Sequence, residues 1–403
     1  MVTRYICPLN LYFNKQVTET TAVRVKWVAF VLGALLTFEG IGQYSEQELI
    51  HKVQSLQVHQ DEFYDDGLFR SQRNWSFFHG TLEDNTIFFT ASIVSTLKMN
   101  EGLMIPESKK VSELIASKAN PTWQKYKSRN GEPTFNFWQT ANPDLPFPNA
   151  NSLISNRRGR LPDDFNTTIL VLLSRAQSDS LDRALRQRMI SYSAREDRSE
   201  VKLLTPKKYA SSKAYEVWFG KNMPQTFDIC VMSNIMYYVI NRDFVVSEYD
   251  KATLALINEM ILSKDFIYRT KDIAHHTSSS AVVLYHVARL LSVDIQGFLD
   301  PIRQLVIDEL NKLSKSIENE VEKAMALSSL YRLGQRPTIE INFAKFEEDV
   351  DEFKFFEVNP SNISTGKGRL LPSIYWKCEA YSWVLGMEYV LLKKSSVSRE
   401  AKE

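Results

Sequence analysis

Residues 276–293 read HTSSSAVVLYHVARLLSV, and residues 296–317 read QGFLDPIRQLVIDELNKLSKSI. From Ala281 onward the first stretch is apolar nearly all round. The second carries Leu299, Ile302, Leu305, Val306, Leu310, Leu313 and Ile317 on one stripe, with charges elsewhere. A helix apolar on every side is buried on every side, whereas a one-stripe helix keeps a flank in water. The two stretches therefore read as an inner helix followed by an outer one.

The same alternation runs through the chain. Apolar segments at 22–38, 86–98, 164–176 and 227–240 are followed by one-stripe segments at 45–58, 107–117, 179–193 and 250–263. Helical patterns near 319–333 and 373–393 leave room for a sixth pair, with the charged stretch 341–358 between them. This predicts an all-α chain folded as an α/α toroid, an inner ring of helices inside an outer ring, about six hairpins in one domain over 1–403. A solenoid of stacked pairs is the competing arrangement, but it calls for a fixed repeat period, and none is present. Loop insertions fall near 118–161 and 334–372, and the irregular parts, rich in Pro, Asn, Gly and aromatics, exceed ordinary connections and suit the wall of a binding site.

Composition narrows the classes. The 403 residues give ample material for a core, and 49 Lys+Arg against 48 Asp+Glu leave a net charge of +1, so no global field recruits nucleic acid or an anionic membrane. Cys7, Cys230 and Cys378 stand far apart, without the spacing of a disulfide framework, a zinc site or an iron–sulfur cluster. A reducing, cytoplasmic setting is expected. The uncharged run Trp27–Phe38 is shorter than the ~20 residues a bilayer span needs and begins too far from Met1 for a secretory signal. It reads as a core helix.

Pro162-Asp163-Asp164-Phe165-Asn166-Thr167-Thr168 runs straight into Ile169-Leu170-Val171-Leu172-Leu173. Short polar side chains accept bonds from the orphaned N–H groups of a first helical turn, and negative charge suits the dipole there. The cluster is therefore an N-cap, a site of chemistry, or both. Upstream, Gln57-Val58-His59-Gln60 precedes Asp65-Asp66-Gly67-Leu68-Phe69.

With the ring alternation, these two pieces resemble the α/α-toroid superfamily that holds the class II terpenoid cyclases and the β subunits of protein prenyltransferases. The Gln57 to Phe69 stretch is similar to that superfamily's recurring glutamine-then-aspartate-glycine turn. The resemblance implies a central apolar cavity and an isoprenoid substrate. In the cyclases the middle aspartate of an Asp-x-Asp-Asp-Thr motif protonates the alkene. Laid on this chain, the first aspartate is Asp164, the middle one Asn166, the third Thr167 and the final threonine Thr168. A neutral amide cannot deliver that proton. The acid would have to be Asp163 or Asp164, since adjacent buried carboxylates cannot both ionise cheaply. Prenyltransferase β subunits bind zinc through an Asp/Cys/His set. No matching cluster is visible in the sequence, so neither metal nor cofactor is expected.

Other candidates carry two readings each. Asp228, in Phe227-Asp228-Ile229, caps a helix or points into the cavity, and Asn234 is the other polar exception there. His275 and His276 point about 100° apart on a helix and so suit no shared metal; one facing the cavity, with His276 the candidate, would be a natural base. His286 reads as a hydrogen-bonded core residue. Thr168, Trp218, Asp228, Asn234, Tyr268, Tyr375, Trp376 and Glu379 are the candidates to meet substrate, Glu379 facing either the cavity or Lys377. Arg158 and Arg160, with Lys367 and Arg369, are solvated loop charges or forks for a diphosphate head.

The expected function is a terpenoid cyclase-like protein acting on, or merely binding, a hydrophobic isoprenoid. The further alternative is a carbohydrate-active toroid, in which two carboxylates act on a sugar. The two differ in lining: isoprenoid sites are dry, whereas sugar sites are wet and rich in carboxylates and amides.

Overall fold

The computed structural model describes residues 44–75, 80–140, 161–176, 178–194, 203–220, 223–277, 279–358 and 373–400. From Ser45 onward these belong to one unit, Ser45–Glu403. The expected apolar segment 22–38, Cys7, Arg158, Arg160, Lys367 and Arg369 lie outside the described residues.

The chain is mostly helical. In order it forms α1 Glu46–Ser55, β1 Gln72–Trp75, β2 Thr81–Glu83, α2 Ile87–Met99, α3 Pro106–Ala119, α4 Phe165–Ser174, α5 Asp179–Ser193, α6 Ile229–Asn241 and α7 Glu248–Leu262. There follow the short α8 Asp265–Tyr268 and α9 Thr270–Ile273, then α10 Ser280–Leu291, α11 Asp300–Ser316, α12 Glu320–Arg332, α13 Phe343–Val350, β3 Phe356–Val358, β4 Ile374–Lys377 and α14 Glu379–Glu400. No helix among the described residues is long and apolar enough to cross a membrane.

The helix starts are written in local chemistry. Ser45 with Glu48, and Ser247 with Asp250, form reciprocal capping boxes. Thr86, Asp164, Asp228, Ser279, Asn319 and Asn342 each accept first-turn N–H groups through a side-chain oxygen.

Packing follows the alternation of apolar and one-stripe helices. The apolar helix α2 packs on α4, α4 on α6, α6 on α10, α10 on α12, α12 on α14, and α14 back on α2. The one-stripe helices lie beside them: α3 on α2, α7 on α6, α11 on α10 and α12, α13 on α12 and α14, and α1 on α14. The last pairings differ from expectation. α12 is matched with α13, a helix inside the charged stretch that buries Phe343, Phe346 and Val350, with Phe346 against Trp383 of α14. α14 is matched with α1 from the beginning of the unit, so that pair spans the whole unit.

A four-stranded antiparallel sheet, in the order β2-β1-β4-β3, departs from the all-helical expectation. Arg73 pairs with Trp376, and Trp376 with Phe356. Tyr375 and Trp376, expected in the final helix, are therefore strand residues, and that helix begins at Glu379. Ile374-Tyr375-Trp376 suits a pleated, half-buried surface better than a helix start.

Candidate functional site

Aromatic contacts and backbone pairings gather the starts of several apolar helices at one end of the unit. Asp164 at the start of α4 pairs through its backbone with Trp218, and Trp218 meets the His276 ring edge-on at 5.8 Å. The His276 N–H donates to Asp228 at the start of α6, at 3.3 Å. The His276 ring stacks on Phe356 at 5.4 Å, and Phe356 lies 5.2 Å from Phe88 at the start of α2. Phe137 and Trp376 complete this layer, 5.6 and 5.3 Å from Phe356.

The paired aspartates diverge. Asp164 is buried, and its Oδ1 accepts the Thr167 N–H at 2.7 Å, the N-capping role. Burial raises its carboxyl to about 7, the neighbouring Asp163 charge adds to that rise, and the Thr167 N–H opposes it. Its Oδ2 is buried without a hydrogen-bond partner. Asp163 accepts from Thr134 Oγ1 at 2.6 Å and Asn136 Nδ2 at 3.2 Å, and it lines a groove of about 300 Å³. Thr168 is taken up by the backbone: its Oγ1 receives the Phe135 N–H at 3.0 Å, which anchors the 134–138 segment along that groove.

The groove is lined by the carboxylates Glu132 and Asp163 and by the amides Asn130, Asn136 and Gln139, with Trp138 and Phe219 as its aromatic faces. Arg188 forms an ion pair with Glu132 at 3.4 Å. The indoles of Trp138 and Trp376 both donate to the buried Asp84, at 2.8 and 2.5 Å, which fixes the Trp138 ring. Gln139 Nε2 donates to Asp65 at 3.0 Å.

Between the apolar helices lies a polar cluster. Asn234 Nδ2 donates to Asn166 Oδ1 at 2.7 Å, and Asn234 Oδ1 accepts from the Arg289 guanidinium. His286 Nδ1 lies 2.9 Å from the Arg289 guanidinium and 3.0 Å from Asn234 Oδ1. The space beside them is about 10 Å³, room for one water, and is lined also by Phe88, Leu170 and Phe355. Asn234, His286 and Arg289 meet there from helices that are otherwise apolar.

The remaining candidates scatter. Burial of its ring pushes His276 down to about 4, so the ring is neutral, and it packs against Trp218 and Phe356 rather than lining the groove. Asp228 caps α6 through Cys230 and Val231 N–H groups, and burial raises its carboxyl while the neighbouring His275 opposes that rise. Tyr268 is 77% exposed on α8, away from these groups. Tyr375 lies under Lys354 Nζ at 4.2 Å. Glu379 pairs with Lys52 at 3.2 Å and accepts from Trp383, so it faces neither a cavity nor Lys377. Among the described residues no group of three His, Cys, Asp or Glu side chains is placed to hold a metal.

Glu132, Asn136, Trp138, Gln139, Arg188 and Arg289 were not singled out by sequence reasoning. The first four lie in the 118–161 stretch, whose length and composition already marked a binding wall. No family model, curated protein or solved structure matches the chain.

Proposed function

We propose that the chain is an α/α toroid and that it binds a carbohydrate-class, hydroxyl-rich small molecule in the groove beside Asp163. The toroid is supported by the order of packing, in which each apolar helix meets the next and α14 returns to α2. The groove's lining carries the functional reading: two carboxylates and three amides within about 300 Å³, at the lower end of ordinary small-molecule sites. Vicinal hydroxyls each offer a donor and an acceptor, and Asp163, Glu132, Asn130 and Gln139 line the groove with complementary groups. The buried Trp138 and Phe219 border the groove and supply its apolar edge.

The test is titration calorimetry of the intact chain against neutral and acidic mono- and disaccharides, beside an Asp163→Asn variant. Binding weakened tenfold or more in the variant, with unchanged circular dichroism, supports the reading. No binding at millimolar ligand, or equal binding by the variant, refutes it.

One observation favours a second reading, the isoprenoid one. Asp164 keeps its proton to about pH 7 at a helix mouth bordered by aromatic rings, which is the relocated acid a cyclase-like protein needs. Incubation with linear isoprenoids, with and without a diphosphate head, followed by mass spectrometry beside Asp164→Asn, tests it. A cyclised product absent from the variant supports it, and unchanged substrate refutes it.

A further inference from the structure

The two carboxylates of the groove are held in different ways. Glu132 is matched by Arg188 at 3.4 Å, and the other guanidinium of the lining, Arg129, donates through Nε to the Thr140 carbonyl at 2.7 Å. Asp163 has neutral company. Its Oδ2 accepts from Thr134 Oγ1 at 2.6 Å and its Oδ1 from Asn136 Nδ2 at 3.2 Å, and among the described residues no Lys, Arg or His forms an ion pair with it. The unmatched charge is felt next door, where it adds to the rise of the buried Asp164 carboxyl. Adjacent carboxylates with no cation beside them carry a cost that a bound cation relieves.

The atoms left over at Asp163 are acceptors. A carboxylate offers about four lone-pair sites, and each Asp163 oxygen has one donor on it. Thr134 Oγ1 gives its hydrogen to Asp163 and keeps its own lone pairs. A divalent metal asks for more, about six oxygen ligands, and among the described residues no group of three His, Cys, Asp or Glu side chains is placed to hold one. An ammonium brings donors only and needs acceptors beside one opposite charge, which is what Asp163 and Thr134 present.

We propose that the ligand of the groove is an amino sugar, a hydroxyl-rich ring bearing a primary ammonium, and that Asp163, with Thr134 Oγ1 beside it, receives the ammonium. This rests on the sugar-binding reading of the same groove and names the substrate class within it. The Glu132–Arg188 pair is left to the hydroxyls: the ion pair runs through Arg188 Nε, so the terminal N–H groups of Arg188 donate while Glu132 accepts.

The test is titration calorimetry of the intact chain with glucosamine, N-acetylglucosamine and glucose at about pH 6, where an amine of this kind holds its proton. Glucosamine should bind about tenfold more tightly than either neutral sugar, the margin of a charge-assisted contact over a neutral one. Asp163→Asn should shrink that margin to about twofold or less, whatever it does to glucose, because the amide keeps an acceptor and loses the charge. Added sodium chloride should shrink the margin in the wild-type chain as well, a readout that needs no variant to fold. Glucose and glucosamine binding equally, or a margin that survives both Asp163→Asn and added salt, would overturn this inference and leave the sugar-binding reading standing. Absence of binding by all three sugars would overturn both.

Discussion

Replacing Asp164 by Asn should stabilise the protein at pH 8 and leave it nearly unchanged at pH 4. Burial lifts the folded-state carboxyl from 3.8 to about 7. Between those values the folded chain holds a proton that the unfolded chain has released. Stability from this group is therefore fully present below about pH 4 and is lost as pH rises through 7. Three pKa units at about 1.4 kcal/mol each make the loss on the order of 4 kcal/mol. Asn keeps the Oδ1 that accepts the Thr167 N–H at 2.7 Å and caps helices as well as Asp does. The charge–dipole interaction at the start of α4 is already contained in that folded-state value. The variant should thus gain roughly 4 kcal/mol at pH 8. Urea denaturation of both proteins at several pH values between 4 and 8 measures this directly, because every other titrating group is common to the two. The wild type should lose up to about 1.4 kcal/mol per pH unit relative to the variant. Parallel curves would mean that Asp164 is ionised in the folded chain, which would also remove the relocated acid from the isoprenoid reading.

Glu388→Gln leaves the buried Arg332 without its counter-charge and should cost about 3–5 kcal/mol in denaturant unfolding, whereas Glu388→Gln with Arg332→Met should recover part of that loss. Gly67→Ala should lower stability by about 1–3 kcal/mol or more, since φ is +91° there and an added Cβ would sit 2.1 Å from the Lys118 carbonyl oxygen; calorimetric melting reads it. Asp84→Ala strands the indole N–H groups of Trp138 and Trp376, at about 1–3 kcal/mol for each, and should weaken the near-ultraviolet dichroism of the tryptophans together with the melting temperature.

The helical content and much of the pairing were legible because burial on all sides and burial on one side leave different residue patterns, and those patterns span several turns. The capping roles of Asp164 and Asp228 were legible as one of two readings, from polar residues set at the edge of apolar runs. The sheet was not. Its strands are three or four residues long, too short for a two-residue alternation to stand out, and β1 pairs with β4 from the far end of the unit. Nothing local marks Arg73 and Trp376 as neighbours. The groove was half legible. Its wall lay in a stretch already marked by length and composition, but the choice of Asp163 over Asp164 as its carboxylate depends on a turn of the backbone at a helix cap. Two adjacent side chains there go opposite ways, one into the first turn and one toward Thr134 and Asn136.

The polar centre had a signal that an apolar average hides. His286 and Arg289 are three residues apart on α10, so they lie on one face, and an arginine within a helix buried on all sides demands polar company. That demand predicts partners on the neighbouring apolar helices. Asn234 on α6 and Asn166 on α4 are the ones that answer it. Asn166 then has a physical role of its own, besides marking where the resemblance breaks. A carboxylate at that position would sit beside the Arg289 guanidinium, in a space of about 10 Å³, and neutralise it.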